Sequence, residues 1–177
     1  MKRSLTLLAV IFLSVSFVSA QNKFTANRPE INLSSEPGYI TINEFTAGFG
    51  LKDTSVPYSK SFFGFTTIHG YQIDKSFVVA GGTGVHFYNN GTLVPLFIDV
   101  RYRIIIDKFT PYAFGDGGLL LDFSAKKDTR LFINPGIGVR YTINRNFAVN
   151  LGTGLFSQFG DLRDSFINLK TGVTYKF

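Results

Sequence analysis

The residues of this chain that could do chemistry are charged side chains spaced two apart inside otherwise apolar stretches. Asp99, Arg101 and Arg103 alternate with Val100 and Tyr102 in this way. Successive side chains of a β-strand point to opposite faces, so this spacing puts the three charges on one face. Because unpaired buried charge is costly, charges that share an enclosed face should form ion pairs. The predicted interior charge network consists of Glu44, Asp99, Arg101, Arg103, Asp116, Arg140 and Lys170.

Such a network has two interpretations. If the strands close into a small barrel, we favour a structural plug of ion pairs, because the interior of such a barrel is just wide enough to be filled by side chains. The alternative is a narrow gated pore lined by the same charges. Glycines on the inward faces leave room for long side chains and equally for water, so they do not decide the matter. They are Gly82, Gly84, Gly136, Gly138, Gly152 and Gly154.

Metal, cofactor and nucleic-acid sites are not expected. The chain has two histidines, His69 and His86, and no cysteine. The histidines fall near opposite ends of adjacent segments, so one metal could not use both. The absence of cysteine also excludes disulfides and a lipid-modified cysteine. The net charge is +6, or +4 from 16 basic and 12 acidic residues without Lys2 and Arg3, which is too mild and dispersed to indicate nucleic acid.

The first twenty residues have the pattern of a cleaved export signal. Lys2 and Arg3 precede an apolar run from Leu5 to Val18, and a small-residue cleavage site ends at Ala20. The predicted organisation is therefore a signal peptide at 1–20, a polar N-terminal segment at 21–37 and one domain at 38–177. No later stretch is long and apolar enough for a transmembrane helix.

The chain after residue 38 divides into eight segments with alternating polar and apolar residues, each bounded by turn residues. This is the signature of antiparallel hairpins, and no segment has a sustained helical period. The predicted segments are Tyr39–Leu51, Lys60–Asp74, Phe77–Tyr88, Leu93–Ile106, Phe109–Phe123, Leu131–Asn144, Phe147–Gln158 and Ser165–Phe177.

The alternation assigns two faces to each segment. In Leu93–Ile106 the apolar face carries Leu96, Ile98 and Val100, opposite the charges. A one-residue slip would move every charge into the apolar environment, so the register should be strongly fixed. Two exceptions are Asn43 and His69, which fall on the apolar face; we expect His69 near the membrane interface. Aromatic residues near strand ends should form interfacial girdles: Tyr39, Phe77, Tyr102, Phe109, Tyr141 and Tyr175.

Connections between the segments alternate in length. Asp74–Ser76, Asp107–Lys108 and Asn144–Asn146 are predicted to be tight turns, whereas the intervening connections are longer and more polar. Short periplasmic turns that alternate with longer outer loops are typical of membrane barrels with an even number of strands. The predicted fold is all-β, an eight-stranded antiparallel transmembrane β-barrel in an up-and-down meander, with both ends periplasmic.

The sequence resembles the small outer-membrane β-barrel proteins of Gram-negative bacteria, in particular the single-domain "outer membrane protein β-barrel" family. It is similar in shape to OmpX and the OmpA membrane domain. The matching residues are the signal peptide, VPLFIDVRYR at Val94–Arg103, TPYAFGDGG at Thr110–Gly118, PGIGVRY at Pro135–Tyr141 and the terminal GVTYKF. The likeness covers almost the whole mature chain, but its motifs are strand patterns, so it carries fold more strongly than function.

This resemblance implies an outer-membrane location, export through a cleaved signal, and contact with membrane lipid, lipopolysaccharide and the outer-membrane assembly machinery. It implies that Tyr175 and Phe177 form a C-terminal assembly signal. Lys126, Lys127 and Arg130 in the third predicted long connection could contact lipopolysaccharide phosphates, or belong to an ordinary solvated loop. We expect a monomer.

Three functions follow from this interpretation. The first is a non-enzymatic structural or surface-interaction barrel with a filled lumen, and the second is a narrow porin-like channel. The third is a lipid A-modifying enzyme, which needs a nucleophile oriented by histidine. One such deacylase family carries His-x-Ser-Asn, whereas the two histidines here read HGYQ and HFYN. We therefore predict no catalytic residues.

Overall fold

Eight antiparallel strands follow one another along the chain and close into a barrel. This computed structural model describes residues 37–51, 60–89, 91–104, 108–122, 129–160 and 163–177. The predicted eight-stranded meander is confirmed. The strands are β1 (Gly38–Gly50), β2 (Ser61–Gln72), β3 (Phe77–Tyr88), β4 (Gly91–Arg103), β5 (Phe109–Asp122), β6 (Thr129–Thr142), β7 (Phe147–Phe159) and β8 (Arg163–Lys176).

The barrel closes because β1 pairs with both β2 and β8. Glu44 lies opposite Thr66 on one side and Gly172 on the other. Every strand therefore has two neighbours, and the ring leaves no free strand edge. No helix within these described ranges is long and apolar enough to cross a membrane.

One predicted connection is shorter in the structure than the sequence suggests. β4 begins at Gly91, which pairs with Tyr88, so the predicted loop Asn89–Thr92 is a two-residue hairpin connection. Asparagine suits such short turns. Ile106, the predicted end of the fourth segment, and Asp107 of the predicted turn lie outside the described residues, and the described β4 stops at Arg103. The ladder ends there because the Ile104 amide bonds to the carbonyl of Pro111, which has no amide hydrogen to return.

Side chains alternate between a buried inner face and an exposed outer face, as the sequence predicts. In β4, Asp99, Arg101 and Arg103 are buried, whereas Ile98 is 62 % exposed. The same division holds along β6, where the inward Asn134 is buried and the outward Ile137 is exposed. The predicted register of both segments is therefore confirmed.

His69 lies on the outer face, as predicted, near the end where β2 turns into β3. Its ring is held by hydroxyl groups: Tyr39 Oη lies 2.9 Å from Nδ1, Thr41 Oγ1 lies 3.2 Å from Nδ1, and Thr67 Oγ1 lies 3.1 Å from Nε2. These neighbours satisfy a polar ring on an otherwise apolar surface.

Two of the tight turns use the same local device. Asp74 Oδ1 accepts the backbone N–H groups of Ser76 and Phe77, and Asn144 Oδ1 accepts those of Asn146 and Phe147. Asx side chains favour turns for this reason. The amide of Ser76, followed by that of Phe77, lowers the pKa of the Asp74 carboxyl.

Candidate functional site

The barrel interior is the candidate site, and its side chains form three layers between two ends. The turn end is the end that carries the 73–76, 104–108 and 143–146 connections. The loop end is the opposite one, where β3 joins β4 after Tyr88. From the loop end inward, the layers are an aromatic layer, a central charge network and a cationic turn-end layer.

The central network is built around Arg101 on β4. Its guanidinium donates to both oxygens of Asp99, at 2.9–3.1 Å, and to Glu44 Oε1 on β1 at 2.8 Å. All three side chains are buried. A fork of donors that meets two carboxylates is the geometry in which a buried arginine is best satisfied.

Lys170 on β8 joins a third carboxylate, that of Asp116, to the same network. Its Nζ donates to Asp116 Oδ2 at 2.5 Å and lies 3.4 Å from Glu44 Oε2, an ion-pair distance without hydrogen-bond geometry. Asn134 Nδ2 also donates to Asp116 Oδ2, and Asn168 Nδ2 donates to Asn134 Oδ1. Asp99 and Asp116 are directly opposite each other on β4 and β5, and the two cations offset their repulsion.

Five of the seven predicted network residues therefore meet: Glu44, Asp99, Arg101, Asp116 and Lys170. Arg103 and Arg140 are not joined to them by an ion pair within the described ranges, although they point into the same lumen. Both lie nearer the turn end, one register step or more below Arg101.

The aromatic layer was missed by sequence reasoning, which assigned aromatic residues mainly to the outer face. Phe62 is its hub, with ring centroids 4.9 Å from His86, 5.1 Å from Tyr88, 5.2 Å from Phe156 and 5.3 Å from Phe166. The alternation of faces could have identified these residues, because each is an even number of positions away from the inward-facing residues of its strand.

Inward glycines make room for rings as well as for charged side chains. A Cβ at Gly82 would lie 2.4 Å from the Phe97 ring, and one at Gly138 would lie 2.5 Å from the Tyr112 ring. Two cations pack on inward-facing rings. Lys170 Nζ lies 4.6 Å from the ring centroid of Phe114, and Arg101 Cζ lies 5.6 Å from that of Tyr112. Such contacts stabilise a desolvated cation.

Two small cavities remain between the layers. One lies beside Lys170, Asn168 and His86, and the other lies at the turn end beside Arg101, Arg103 and Arg140. Each has room for about one water molecule. At the depth of each of these two cavities, side chains of the described residues fill the rest of the lumen.

The remaining predicted residues lie on the periphery. Lys126 and Lys127 fall outside the described residues. Arg130 points inward at the loop end and is 7 % exposed. Tyr175 and Phe177 lie on the outer face at the seam between β8 and β1, where the Phe177 ring is 4.9 Å from Tyr175 and 5.5 Å from Tyr39. Their roles in lipopolysaccharide contact and assembly stay predictions.

The predicted lack of metal and catalytic residues also stays a prediction. In the described part of the chain, no three His, Cys, Asp or Glu side chains are grouped as a metal site would need. His86 is enclosed by the Phe62 and Phe156 rings, and His69 is at the opposite end of the barrel on its outer face. The two histidines are therefore separated, as expected.

Comparisons with protein-family models and with curated proteins find no match. Solved structures give clear similarities. Neisserial surface protein A has 17 % sequence identity, a TM-score of 0.62, and coverage of 80 % of this chain and 99 % of its own. The N-terminal barrel domain of OprF from Pseudomonas aeruginosa has 16 % identity, a TM-score of 0.52 and coverage of 78 % and 98 %.

A third solved structure, the outer membrane protein OprG from Pseudomonas aeruginosa, has 12 % identity and a TM-score of 0.51, with coverage of 79 % of this chain and 96 % of its own. At these identities the likeness concerns the fold. The closed meander and the matched length together show that this chain has the fold of the small outer-membrane β-barrels.

Proposed function

We propose that this protein is an integral outer-membrane barrel with a side-chain-filled lumen and a non-enzymatic structural or surface-interaction role. The observation that carries the proposal is the interior itself. Arg101, Lys170 and three carboxylates form ion pairs across the lumen, and an aromatic layer lies between them and the loop end. Side chains packed in this way stabilise a barrel and leave little space for a solute.

The outer surface supports a location in a membrane. Aliphatic side chains are exposed around the middle of the barrel, including Leu96, Ile98, Ile137 and Leu151. Exposed aromatic side chains flank this belt, with Phe49, Phe63 and Phe87 towards the loop end and Tyr102, Phe109, Tyr141 and Tyr175 towards the turn end. An apolar band between two aromatic girdles is the surface of a membrane barrel, and strands of 12–14 residues are long enough to span one.

The contacts of the histidines favour a non-enzymatic role. A nucleophilic triad needs a base that is oriented by a third group. The groups that hydrogen-bond His69 are hydroxyls of Tyr39, Thr41 and Thr67, with no carboxylate among its described hydrogen-bond partners. The His86 ring is buried between aromatic rings, away from any bulk solvent.

We further propose that the protein is exported through cleavage after Ala20 and acts as a monomer. Its partners would be membrane lipid, the assembly machinery, which would engage Tyr175 and Phe177, and lipopolysaccharide, which Lys126 and Lys127 would contact; the inward, buried Arg130 is not available for that contact. Tyr175 and Phe177 are exposed at the closing seam, so a partner could reach them before or after closure.

Electrical recording in planar lipid bilayers tests the filled lumen against the porin-like alternative. Purified full-length protein should insert without reproducible unitary conductance, because the ion pairs and rings occupy the lumen. Flotation of the same preparation with lipid vesicles establishes that the protein is inserted. Stable unitary currents from the inserted protein would overturn the filled-lumen proposal in favour of a channel.

A further inference from the structure

The turn-end cavity has a positive lining without a matching carboxylate. Arg101, Arg103 and Arg140 border it, together with Tyr112, Asn150, Thr174 and three aliphatic side chains. No described residue on this lining is an aspartate or a glutamate. This separates it from the central network, where each cation meets carboxylates directly.

Two of these guanidinium groups have donors that are buried and unused. Nε and Nη2 of Arg103 and Nε of Arg140 have no hydrogen-bond partner among the described residues. Arg103 is only 6 % exposed. Arg101 differs, since its Nε, Nη1 and Nη2 all donate to Asp99 or Glu44. Buried donors left without an acceptor are costly, and charged ones more so.

A carboxylate outside this lining is already engaged through one of its oxygens. Asp74 lies in the turn beside Arg103, but its Oδ1 accepts two backbone amides. Three basic residues, Arg101, Arg103 and Arg140, border the cavity, so a ligand there should carry negative charge.

We propose that this cavity binds a single small monovalent anion of about the size of chloride. Arg103 Nε and Nη2 and Arg140 Nε donate to it. Asn150 is engaged with Thr174 Oγ1 at 2.7 Å and holds the adjacent wall in place. A water molecule fills the same space but brings no charge, so it leaves the two guanidiniums uncompensated. A chloride ion is only somewhat larger than a water molecule, whereas a tetrahedral oxyanion such as sulfate is much larger, so the limited space beside the arginines should favour the smaller ion.

Side-chain NMR of the arginines tests the site directly. Full-length protein labelled with ¹⁵N-arginine is held in lipid nanodiscs while sodium gluconate is replaced by sodium chloride at constant sodium concentration. The Nε–H signals of Arg103 and Arg140 should shift along one saturable curve, while that of Arg145, which is exposed in a turn at the same end, should not. Sodium sulfate should not reproduce the curve.

The matched variants are Arg140→Gln and Arg145→Gln. Arg140→Gln removes one of the proposed donors and should weaken chloride binding, read at Arg103, by about tenfold or more, because it removes a charge-assisted hydrogen bond to the ion. Arg145→Gln should leave binding unchanged. The wild-type titration does not depend on the folding of either variant.

Linear, unsaturable shifts shared by Arg103, Arg140 and Arg145 would overturn the proposal, as would a sulfate curve equal to that of chloride. Bromide in place of chloride supplies an independent readout in crystals. An anomalous signal between Arg103 and Arg140 supports the site, and its absence at saturating bromide contradicts it.

Discussion

Lys170 is the residue that links the two halves of the interior charge network. Its ammonium lies 2.5 Å from Asp116 and 3.4 Å from Glu44, and Glu44 is in turn bound by Arg101. The side chain is buried. Without Lys170, Asp116 would keep only the amide of Asn134 among these contacts.

Lys170→Met should therefore destabilise the barrel strongly. Removal of one partner of a buried ion pair costs about 3–5 kcal/mol, because the other charge stays buried and unpaired. The free energy of unfolding in urea, measured with the protein in lipid vesicles, should fall by that order.

The control for this substitution is Lys75→Met, which removes the same charge from an exposed position in the β2–β3 turn. It should change the free energy of unfolding little. The double variant Lys170→Met with Asp116→Asn should regain part of the loss, because it removes the orphaned charge as well. Equal stability of Lys170→Met and Lys75→Met would contradict the network.

At the scale of the elements, β4 carries the clearest separation between a charged inner face and an apolar outer face. Ile98 lies near the middle of the strand and is strongly exposed, whereas Ile104 follows its last residue at the turn end. The two side chains are identical and both face outward, but they differ in depth along the barrel.

Ile98→Arg should destabilise the barrel by about 2–4 kcal/mol, since that is the cost of an arginine on the lipid face near the bilayer midplane. Ile104→Arg should cost only about 0–1 kcal/mol, because the same charge lies near the interface. Refolding into vesicles followed by denaturant unfolding measures both. If the two variants were equally stable, the outer face of β4 would not be in contact with lipid.

The strands of this fold could be predicted from the sequence because their period of two is carried by charges. Asp99, Arg101 and Arg103 mark the inner face of β4, and a one-residue slip of the register would expose them to lipid. The residues at which the strands begin and end could not be predicted as closely. Gly91 extends the ladder of β4 beyond the predicted start, and turn chemistry alone does not tell where pairing stops.

The pairing within the lumen could not be predicted in the same way. Arg101 meets Glu44 at a separation of 57 residues, and this contact depends on barrel closure and on the stagger between strands. Phe62 and Phe65 are chemically identical, but only parity separates the buried ring from the exposed one. Arg103 and Arg140 also point into the barrel, but they lie closer to the turn end than Arg101 and form no ion pair with the carboxylates of the central network.

At the scale of the whole molecule, the barrel is unequal along its axis. Aromatic rings fill the loop end, ion pairs fill the middle, and arginines line the turn end. The outer surface is apolar where the interior carries ion pairs: it has an aliphatic belt between two aromatic girdles. A membrane barrel with a filled lumen requires lipid outside and packed side chains inside at the same depth.

Methyl NMR in lipid nanodiscs that contain a doxyl-labelled lipid tests this requirement most directly, without any substitution. The outward methyl groups of Ile98, Ile137 and Leu151 should broaden strongly. The inward methyl groups of Ile42, Ile68 and Leu120, which are almost completely buried inside the barrel, should broaden much less and should also resist a water-soluble paramagnetic probe. Equal broadening of the two sets by the lipid probe, or strong broadening of the inward set by the aqueous probe, would contradict a lipid-embedded barrel with a filled lumen.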